Sequence, residues 1–501
     1  MTAINRHLEH CFFTEQENQI NTSMNFKQLF ILFFICHVGN VFSQQIITFP
    51  VSDSIPHNND FTVKVRVSGG QWQDLYEYEA LVDMHRVTSS SMVNFDFSGT
   101  VEFSVTYNRE KVRTARIRPL SYGFEPKIKG NTLTFSLSRP CNLSLEVNGD
   151  IFHNLQIFTD APETYKPDPK DSSVIYFGPG FHTAKNNILH VPSGKTLYLA
   201  GGAVLNASIS CDSVKDVRIC GRGIVYKAND GVGVNFSDNV WIEDLVFMNP
   251  SHYTVCSGQS TNVKIKNIRS FSAKGWGDGI DLFCNNNVLI EGVFMRNSDD
   301  CIAIYGHRWK FYGDCRNVLV RNSTLWADVA HPILIGTHGN PEPGKSEVLE
   351  NMKFENIDIL NQDEKQINYQ GCMAINVSDE NLARNILFEN IRVEDFEQGQ
   401  LLNLRVTFNK KYAKAPGRGI ENIYFKNVSY NGKNANLSII EGYSPERGIK
   451  NIVFEGLKIN ETEISPKLNK PGYMQYSDFA RFYEGLYVDE IVYKTSQVEQ
   501  K

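Results

Sequence analysis

The sequence predicts an all-β protein in which an N-terminal antiparallel β-sandwich is followed by a right-handed parallel β-helix. Three observations support this fold class. The chain of 501 residues contains 36 glycines beside few helix-forming stretches, which indicates many turns. Polar and apolar side chains alternate over residues 46–160, and one strand-like unit repeats over residues 171–465.

The composition is that of a folded protein with a mild acidic excess. Hydrophobic residues make up 41% of the chain, which is enough apolar surface to offset the entropy of ordering it. The 56 acidic residues outnumber the 50 lysines and arginines, and the net charge is −6. Because nucleic-acid binding requires a basic face, no nucleic-acid partner is expected.

Residues 1–43 are predicted to be an extension and a signal peptide. From Met24 the chain has a basic residue, Lys27, then an apolar run from Leu29 to Val38 and a small residue, Ser43, at the cleavage position. The run is too short to span a bilayer. We therefore expect a protein without a membrane span that starts at Met24 and is secreted or periplasmic.

Residues 46–160 are predicted to form the β-sandwich. Segments such as Thr62–Val67 and Val101–Val105 alternate at period two and are separated by turns with Gly and Asn. Three prolines within residues 161–170 prevent any regular element there. This segment is therefore expected to be the linker to the second domain.

Residues 171–465 are predicted to form the β-helix, with a cap or tail at 466–501. An asparagine followed by alternating apolar residues recurs every 23 to 37 residues. A strand-only unit of this length suits one β-helix coil, and its asparagines are expected to stack in a hydrogen-bonded ladder. The longer spacings imply loops along one face. The copies begin at Asn239, Asn262, Asn287, Asn317, Asn351, Asn385, Asn422 and Asn451.

The cysteines after the leader are expected to be buried thiols rather than disulfides or metal ligands. They show no close Cys-x-x-Cys or Cys/His spacing, and several lie beside apolar runs. No phosphate loop or dinucleotide motif occurs, so neither a cofactor nor a metal ion is expected. These cysteines are Cys141, Cys211, Cys220, Cys256, Cys284, Cys301, Cys315 and Cys372.

Three short segments fall in register one coil apart: Gly277–Leu282, Asp299–Ile304 and Ala330–Ile335. When the apolar pairs near the ends of these segments are aligned, one polar side chain from each segment occupies the same rung position, that is, the same place along its coil. Adjacent coils lie about 4.8 Å apart, so these side chains must be neighbours. They are Asp278, Asp300 and His331, with Asp299 adjacent to them.

Such a group of carboxyls is equipped for acid and base catalysis. Like charges at this distance raise the pKa of at least one carboxyl, which then holds a proton near neutral pH. One acid beside one ionised base can hydrolyse a glycosidic bond. Strict alternation would put Asp278 and Ile280 on one face, so the chain must bend there, and Gly277 and Gly279 allow this. If only one of these aspartates were present, the simpler interpretation would be that it caps a turn.

The motifs Asp278–Asp281, Ser298–Cys301 and His331 resemble the active-site motifs of glycoside hydrolase family 28, the polygalacturonases. The order of sandwich and helix is similar to that of family 49, the dextranases. The resemblance covers about residues 170–460, and more loosely 46–160. It implies a pectinase-like β-helix that hydrolyses a polysaccharide.

By this resemblance, Asp299 is the general acid that protonates the leaving oxygen. Asp278 and Asp300 would hold and deprotonate the attacking water, with inversion of the anomeric centre. His331 would tune the proton of the acid by hydrogen bonding. Asp281 is a candidate substrate-binding residue, and a structural cap is an equal alternative for it.

The sequence also departs from the polygalacturonase pattern. About one coil past the histidine, polygalacturonases carry an Arg-Ile-Lys that contacts the substrate carboxylate, whereas this region contains Asp363 and Glu364. A neutral sugar recognised by Asp363, Glu364 or Asn376 is therefore an alternative to a uronate as the ligand. Arg405, before a basic loop, is a candidate for binding an anionic substituent, or an ordinary solvated residue.

Aromatic residues cluster on the same coils as the carboxyls. Such rings suit stacking against sugars, although core packing explains any one of them equally well. The predicted sugar-contacting residues are Trp276, His307 and Trp309, and Phe311, Tyr312 and Trp326 lie nearby in the sequence.

The sequence therefore predicts a secreted, monomeric, inverting glycosidase acting on a poly- or oligosaccharide. The alternatives are a polysaccharide lyase and a non-catalytic carbohydrate-binding β-helix. A lyase would need a Lys or Arg base in register, which the aligned segments do not supply.

Overall fold

The computed structural model describes residues 44–497 and is almost entirely β-structure. The predicted signal peptide and the extension before it lie outside the described residues, as do residues 498–501 of the predicted tail. In the described part, the helical elements are α1 (Tyr476–Ala480) and two single 3-10 turns, Leu120–Tyr122 and Ile367–Tyr369. The predicted all-β class is confirmed.

The first eleven strands form a β-sandwich of one six-stranded and one five-stranded sheet. Alternate residues such as Phe61, Val63 and Val65 are buried between the sheets. The strands are β1 (Gln45–Ile47), β2 (Phe61–Val67), β3 (Gln73–Asp74), β4 (Tyr78–Val82), β5 (Thr88–Ser98), β6 (Val101–Tyr107), β7 (Ala115–Arg118), β8 (Lys127–Lys129), β9 (Thr132–Leu137), β10 (Asn142–Val147) and β11 (Asp150–Asp160).

The sandwich is antiparallel, as predicted, except for one pair of strands. β11 forms a hairpin with β10 and pairs in parallel with β5. Between β5 and β11 the chain crosses to the five-stranded sheet and returns, and such a crossover permits parallel pairing.

The remaining strands form the parallel β-helix, and all of them except β33 and β36 belong to one continuous 29-stranded network. Its strands up to β28 are β12 (Val174–Phe177), β13 (Gly180–His190), β14 (Thr196–Leu199), β15 (Ala203–Asp212), β16 (Lys215–Gly221), β17 (Ile224–Tyr226), β18 (Val232–Asn235), β19 (Asp238–Glu243), β20 (Val246–Met248), β21 (Val255–Gly258), β22 (Thr261–Lys266), β23 (Arg269–Phe271), β24 (Ile280–Phe283), β25 (Asn286–Glu291), β26 (Phe294–Asn297), β27 (Ile302–Tyr305) and β28 (Cys315–Ala327).

The later strands continue the same coils, apart from the short pair β33 and β36, and end in the predicted cap segment. They are β29 (Ile333–Gly336), β30 (Val348–Asn361), β31 (Met373–Val377), β32 (Leu382–Glu394), β33 (Gly399–Gln400), β34 (Leu402–Val406), β35 (Gly419–Asn431), β36 (Ala435–Asn436), β37 (Ser438–Glu441), β38 (Ile449–Glu455), β39 (Leu457–Ile459), β40 (Thr462–Ile464), β41 (Phe482–Glu484) and β42 (Val492–Lys494).

Strand pairing between coils divides the helix into three faces. The groove sheet contains β18, β21, β24, β27, β29, β31, β34, β37 and β41. The back sheet begins with β16, β19, β22 and β25, and the sandwich-facing sheet begins with β17, β20, β23 and β26. Apolar residues in register, such as Ile280, Ile302 and Ile333, fill the interior.

The predicted asparagine ladder is confirmed along the back sheet. Asn422 donates a side-chain hydrogen bond to Asn385 at 3.0 Å, and Asn385 donates one to Asn351 at 3.3 Å. The ladder residues have positive φ, near +57°, which asparagine tolerates better than most residues. A second ladder, which the sequence pattern did not predict, includes the bond from Asn356 to Asn322.

The sandwich packs on the sandwich-facing sheet through a shared apolar cluster and buried ion pairs. Phe158 of the sandwich contacts Phe271 and Phe294 of the helix. The Arg118 guanidinium, 1% exposed, binds Glu146 of the sandwich and Glu394 of the helix. This packing leaves the groove sheet uncovered by the sandwich core.

Most cysteines of residues 44–497 are buried, as the sequence predicts. The eight cysteines in this part of the chain are free thiols, and six of them are buried. No helix among these residues has the length and hydropathy that a membrane span requires.

Candidate active site

The candidate site lies on the groove sheet where β24, β27 and β29 begin. Ile280, Ile302 and Ile333 are paired partners in these strands, so Asp278, Asp300 and His331 occupy one rung position, as predicted. The backbone confirms the register, because the Gly279 N–H donates to the Asp300 carbonyl and the Cys301 N–H donates to the His331 carbonyl, each at 2.8 Å.

The predicted bend after Asp278 is present, and Gly279 makes it possible. Strand β24 starts only at Ile280, so strand alternation does not apply to Asp278. A Cβ atom on Gly279 would lie 2.2 Å from the Cys301 carbonyl oxygen, so only glycine allows the coils to approach this closely. Asp278 and Asp281 therefore both lie beside the other acids.

Asp300 is held by three hydrogen-bond donors. The Tyr305 hydroxyl donates to it at 3.1 Å, and the His331 backbone N–H donates to it, also at 3.1 Å. The Nδ1 atom of His331 lies 2.7 Å from Asp300 Oδ1, and its Nε2 contacts the Tyr369 carbonyl. Burial alone would lower the pKa of His331, but the Asp300 carboxylate raises it. The imidazole is thus a donor that fixes the Asp300 carboxylate.

The other carboxyls of the site have raised pKa values. Burial is the main cause for Asp278 and Asp281, whose pKa values lie well above the usual range, and the neighbouring carboxylates raise them further. Burial and then Asp300 raise the pKa of Asp299 to about 7, against the effect of N–H donors from Asp300 and Trp276. Asp299 is therefore able to carry a proton near neutral pH.

Asp278, Asp299 and Asp300 are close enough to act on one atom. An oxygen from each lies within 4.8 Å of one from each of the others. Oxygens at this spacing also match what a hard divalent cation prefers. The expectation that no metal takes part therefore stays a prediction, which activity measured after treatment with a chelator will test.

Aromatic side chains line one side of the acids. Trp276 is 71% exposed and Trp309 is 53% exposed, so both offer a free ring face to a ligand. Trp309 stands over Phe283 on the groove floor, with ring centroids 5.3 Å apart. His307 stacks on Tyr312, and its Nδ1 lies 2.6 Å from the Phe311 carbonyl oxygen.

Trp326 does not belong to this aromatic group. Its side chain is fully buried on the sandwich-facing sheet, between the guanidinium groups of Arg118 and Arg296. The sequence placed it on the right coil, but the position along the coil decides which face a side chain occupies. Trp326 is therefore a core residue and cannot stack on a sugar in the groove.

The strand one coil past His331 is β31, and this corrects the sequence alignment. Met373 pairs with Ile333, so the counterpart of the polygalacturonase Arg-Ile-Lys in register is Ala374–Asn376, not Asp363–Tyr369. Residues 363–369 form the loop before that strand. The conclusion that this coil supplies no cation is unchanged.

The predicted acidic sugar ligands are placed differently from one another. Glu364 is buried near His331, and its carboxylate accepts a hydrogen bond from the Gln366 N–H at 2.6 Å. Asp363 is half-buried, and the charges around it include Lys365 and Glu364 as well as Asp83 and His85 of the sandwich. The structure therefore places Glu364 near His331 and Asp363 towards the sandwich.

Asn376 and Arg405 lie on neighbouring strands of the groove floor. Asn376 is 1% exposed, and neither atom of its amide has a hydrogen-bond partner among the described residues. Arg405 forms an ion pair with Glu441 at 3.0 Å and donates to the Asn368 carbonyl at 3.1 Å. Arg405 is thus largely committed to protein partners.

Two loops meet over Asn376 and form what we call the loop bridge, made of Gln366, Tyr369, Lys411 and Tyr412. The rings of Tyr369 and Tyr412 stack with centroids 5.0 Å apart. The side chain of Gln366 accepts a hydrogen bond from Lys411 at 3.1 Å and lies 3.3 Å from the Tyr412 hydroxyl. Tyr369 also packs edge-on against the His331 ring, with centroids 4.6 Å apart, so the loop bridge borders the acids on the His331 side.

Sequence reasoning missed several residues of the site. Tyr305 was detectable, because it lies on the outward row of β27 directly after the Asp299–Ile304 segment. Tyr369 and Arg308 lie in loops, where neither the alternation of apolar residues nor the register of the coils predicts the position of a side chain. Only the folded chain brings them to the acids.

Comparisons with known proteins agree with this architecture. The family model described as "Glycosyl hydrolases family 28" matches residues 202–471, which is more than half of the chain. The structure of Dex49A from Penicillium minioluteum has a TM-score of 0.57 at 13% identity, covering 88% of this chain and 95% of that chain. At this identity the structural similarity shows the fold alone.

Two curated relatives are similar over part of the sequence. An "Exopolygalacturonase" of Cochliobolus carbonum is 30% identical over 179 residues, which is 34% of this chain and 36% of the relative. A "Putative galacturan 1,4-alpha-galacturonidase A" of Aspergillus niger is 21% identical over 225 residues, 39% of this chain and 49% of the relative. The matched region thus spans about a third to a half of these relatives.

Proposed function

The chain belongs to glycosyl hydrolases family 28, and on this premise we propose that it is a glycosidase that hydrolyses O-glycosidic bonds of a poly- or oligosaccharide. The observation that carries the proposal is Asp299, whose pKa is raised to about 7, beside a firmly held Asp300 on the groove floor. A carboxylic acid next to a carboxylate is the minimum equipment for this reaction.

In the proposed mechanism, Asp299 donates its proton to the oxygen of the leaving sugar. Asp300, oriented by Tyr305 and His331, accepts a proton from the attacking water, and Asp278 helps to hold that water. The water adds to the anomeric carbon as the glycosidic bond breaks, so the product carries the inverted configuration. Asp281 lies next to this group and is proposed to contact the substrate.

One observation favours a second candidate mechanism. Inverting enzymes usually separate their two carboxyl groups by about 6.5–9.5 Å to admit a water, and retaining enzymes by about 5–5.5 Å. The nearest oxygens of Asp278, Asp299 and Asp300 lie within 4.8 Å of one another. This spacing suits a retaining reaction with a covalent intermediate, and the anomer first released distinguishes the two mechanisms.

We propose that cleavage is of the exo type, at a chain end. The loop bridge borders the acids on the His331 side. On the other side Phe311 packs against Gly258, where a Cβ atom would lie 2.2 Å from its ring. A groove limited on both sides admits the end of a chain better than its middle.

The experiment combines product size, product anomer and one substitution. Purified protein is incubated with uronic, neutral and sulfated glycans, and NMR follows the first anomer released. We expect single terminal sugars of inverted configuration, and a loss of rate of about 100-fold or more in Asp299→Asn. The matched control is Asp212→Asn, because Asp212 is exposed on β15 and the charge change is the same.

Each other outcome of this experiment has a defined meaning. A retained anomer would favour the covalent mechanism, and long products would contradict the exo proposal. An unsaturated product would indicate a lyase, and binding without turnover across all three glycan classes would indicate a non-catalytic carbohydrate-binding protein. Full activity of Asp299→Asn would refute the assignment of the acid.

We further propose that the protein is exported after removal of the segment Met24–Ser43. Sequencing of the N-terminus of protein secreted by its source cells tests this, and an uncleaved intracellular chain would contradict it. The monomeric state also stays a prediction, which light scattering of the purified protein will check.

A further inference from the structure

Arg308 is a cation on the groove floor that no carboxylate neutralises in the part of the chain that the structure describes. The loop 306–313, which follows β27, carries it, and no acidic group of residues 44–497 lies within ion-pair distance of its guanidinium. Its Nη1 atom lies 2.8 Å from both ring nitrogens of His338. Its Nε and Nη2 atoms have no hydrogen-bond partner among the same residues and are not buried.

The imidazole of His338 holds Arg308 without cancelling its charge. Burial and the neighbouring Arg308 lower the pKa of His338 to about 3, so the ring is neutral and accepts a hydrogen bond. The Arg308 guanidinium also lies 4.9 Å from the Trp309 ring centroid. Arg308 is thus fixed in place with two donor atoms left over.

The two partners of Arg308 show that it lies over the groove floor. Trp309 stands over Phe283, and His338 stands over Tyr305, with ring centroids 5.0 Å apart. Phe283 and Tyr305 follow Asp281 and Ala303 on β24 and β27. Arg308 is also near enough to Asp281 to oppose the rise of its pKa.

We infer that Arg308 is a specificity-determining residue that binds an anionic substituent, a carboxylate or a sulfate ester, on the sugar next to the acids. This inference rests on the proposed function and specifies its substrate class. A guanidinium presents paired N–H donors that match such planar or tetrahedral oxyanions. The coil of Ala374–Asn376 supplies no cation, so the groove obtains its anion site from a different loop.

The test compares charged and neutral forms of the same glycan. The substrates are a uronic acid oligosaccharide, its carboxyl-reduced counterpart and a sulfated oligosaccharide of equal length. We expect the wild-type protein to prefer one anionic substrate, and Arg308→Gln to lose about 10- to 100-fold of that preference in kcat/KM. The anionic substrate that is preferred identifies the group as a carboxylate or a sulfate.

The control is Lys310→Gln, which makes the same charge change in the same loop. Lys310 is exposed, with its ammonium 5.1 Å from the Phe236 ring centroid, so its removal should leave the preference unchanged. A preference that survives in Arg308→Gln, or a wild-type preference for the neutral glycan, would overturn the inference.

His338 is a positioning residue, and its variants separate that role from a purely structural one. His338→Ala should raise KM for the anionic substrate with little change in kcat, and His338→Gln, which keeps an acceptor, should restore part of the affinity. Equal KM values for the two variants and the wild type would contradict the positioning role.

Binding to an inactive background distinguishes failure of this inference from failure of the proposed function. Calorimetry measures the affinity of Asp299→Asn, with and without Arg308→Gln, for each of the three oligosaccharides. A weaker affinity of the double variant for the anionic glycan supports the inference even if no hydrolysis is found. Equal affinities of both proteins for it would refute the inference while leaving the glycosidase proposal standing.

Discussion

Asp299 differs from the other aspartates of the site in both its exposure and its partners. Asp278, Asp281 and Asp300 are buried, whereas Asp299 is partly open to the groove and receives only N–H groups from Asp300 and Trp276. Burial and a like charge raise its pKa to about 7. A partly open, protonated carboxyl beside a ligand groove is suited to donate its proton to a substrate.

We predict an alkaline limit of activity near pH 7. The reaction needs the protonated form of Asp299, and its pKa in the free protein is about 7, so kcat/KM should fall as the pH rises through this value. The measurement is kcat/KM from pH 4 to pH 9 on the best substrate. The control is recovery of activity after incubation at pH 9, and a plateau extending to pH 9 would contradict the assignment.

A second prediction concerns the cost of burying Asp281. Its pKa is raised in the folded protein, so this group favours folding when protonated, and that contribution is lost as the pH rises through the folded-state pKa. Asp281→Asn should therefore increase the melting temperature, and more at pH 8.5 than at pH 5. Scanning calorimetry measures both values, and an equal or larger gain at pH 5 would count against the burial argument.

At the scale of the element, the β-helix coil is fixed by its asparagine corner. Each ladder asparagine adopts positive φ, and Asn385 donates an amide hydrogen bond to one neighbouring coil and accepts one from the other. The rows of apolar residues then meet in register, as Ile280, Ile302 and Ile333 do. Because register fixes the rung position, it also brings Asp278, Asp300 and His331 together.

Substitutions at Asn385 separate two contributions of the ladder asparagine to stability: its amide hydrogen bonds and its tolerance of positive φ. Asn385→Gly keeps the positive φ but loses the bonds to Asn351 and from Asn422, which should cost about 1–3 kcal/mol. Asn385→Ala loses the same bonds and adds about 1–2 kcal/mol of backbone strain. Denaturant unfolding of both variants checks this order, and a glycine variant as stable as the wild type would exclude an energetic role for the ladder.

At the scale of the whole molecule, the sandwich and the β-helix behave as one body. Residues 44–497 lie in a single compact unit, and buried arginines connect its two parts. Arg118 binds Glu146 and Glu394, and Arg296 of the helix binds Asp328 and donates to Asn154 of the sandwich. The sandwich therefore supports the helix on the face beside the groove.

We predict that breaking one of these links destabilises the whole protein. Arg118→Met removes the buried guanidinium that pairs with both Glu146 and Glu394, and leaves Glu394 with only the Leu120 N–H, which should cost about 3–5 kcal/mol. Calorimetry should show one transition at a lower temperature for this variant. The matched control is Arg113→Met, whose side chain is 62% exposed, and a separate early transition of the sandwich would contradict the single-body description.

Local patterns were sufficient to predict the fold and the register of the acids. The period-two segments, the recurring asparagines and the resemblance to families 28 and 49 all agree with the structure and the comparisons. Patterns were insufficient in two places: they left open whether Trp326 faces the groove or the core, and they aligned Asp363–Tyr369 with a strand that lies one segment later. An insertion between two strands lengthens the coil, and it contains no repeating pattern from which the position of the next strand could be counted.

The sequence by itself determined that Asp278, Asp300 and His331 must be neighbours, because identical coils stacked about 4.8 Å apart repeat every rung position. The tertiary structure alone decided what surrounds them. Arg308, His338 and the loop bridge come from loops whose paths depend on contacts between distant coils, and no spacing in the chain encodes those contacts. The juxtaposition of the acids and His331 was therefore predictable from the repeat, and the loops that surround them were not.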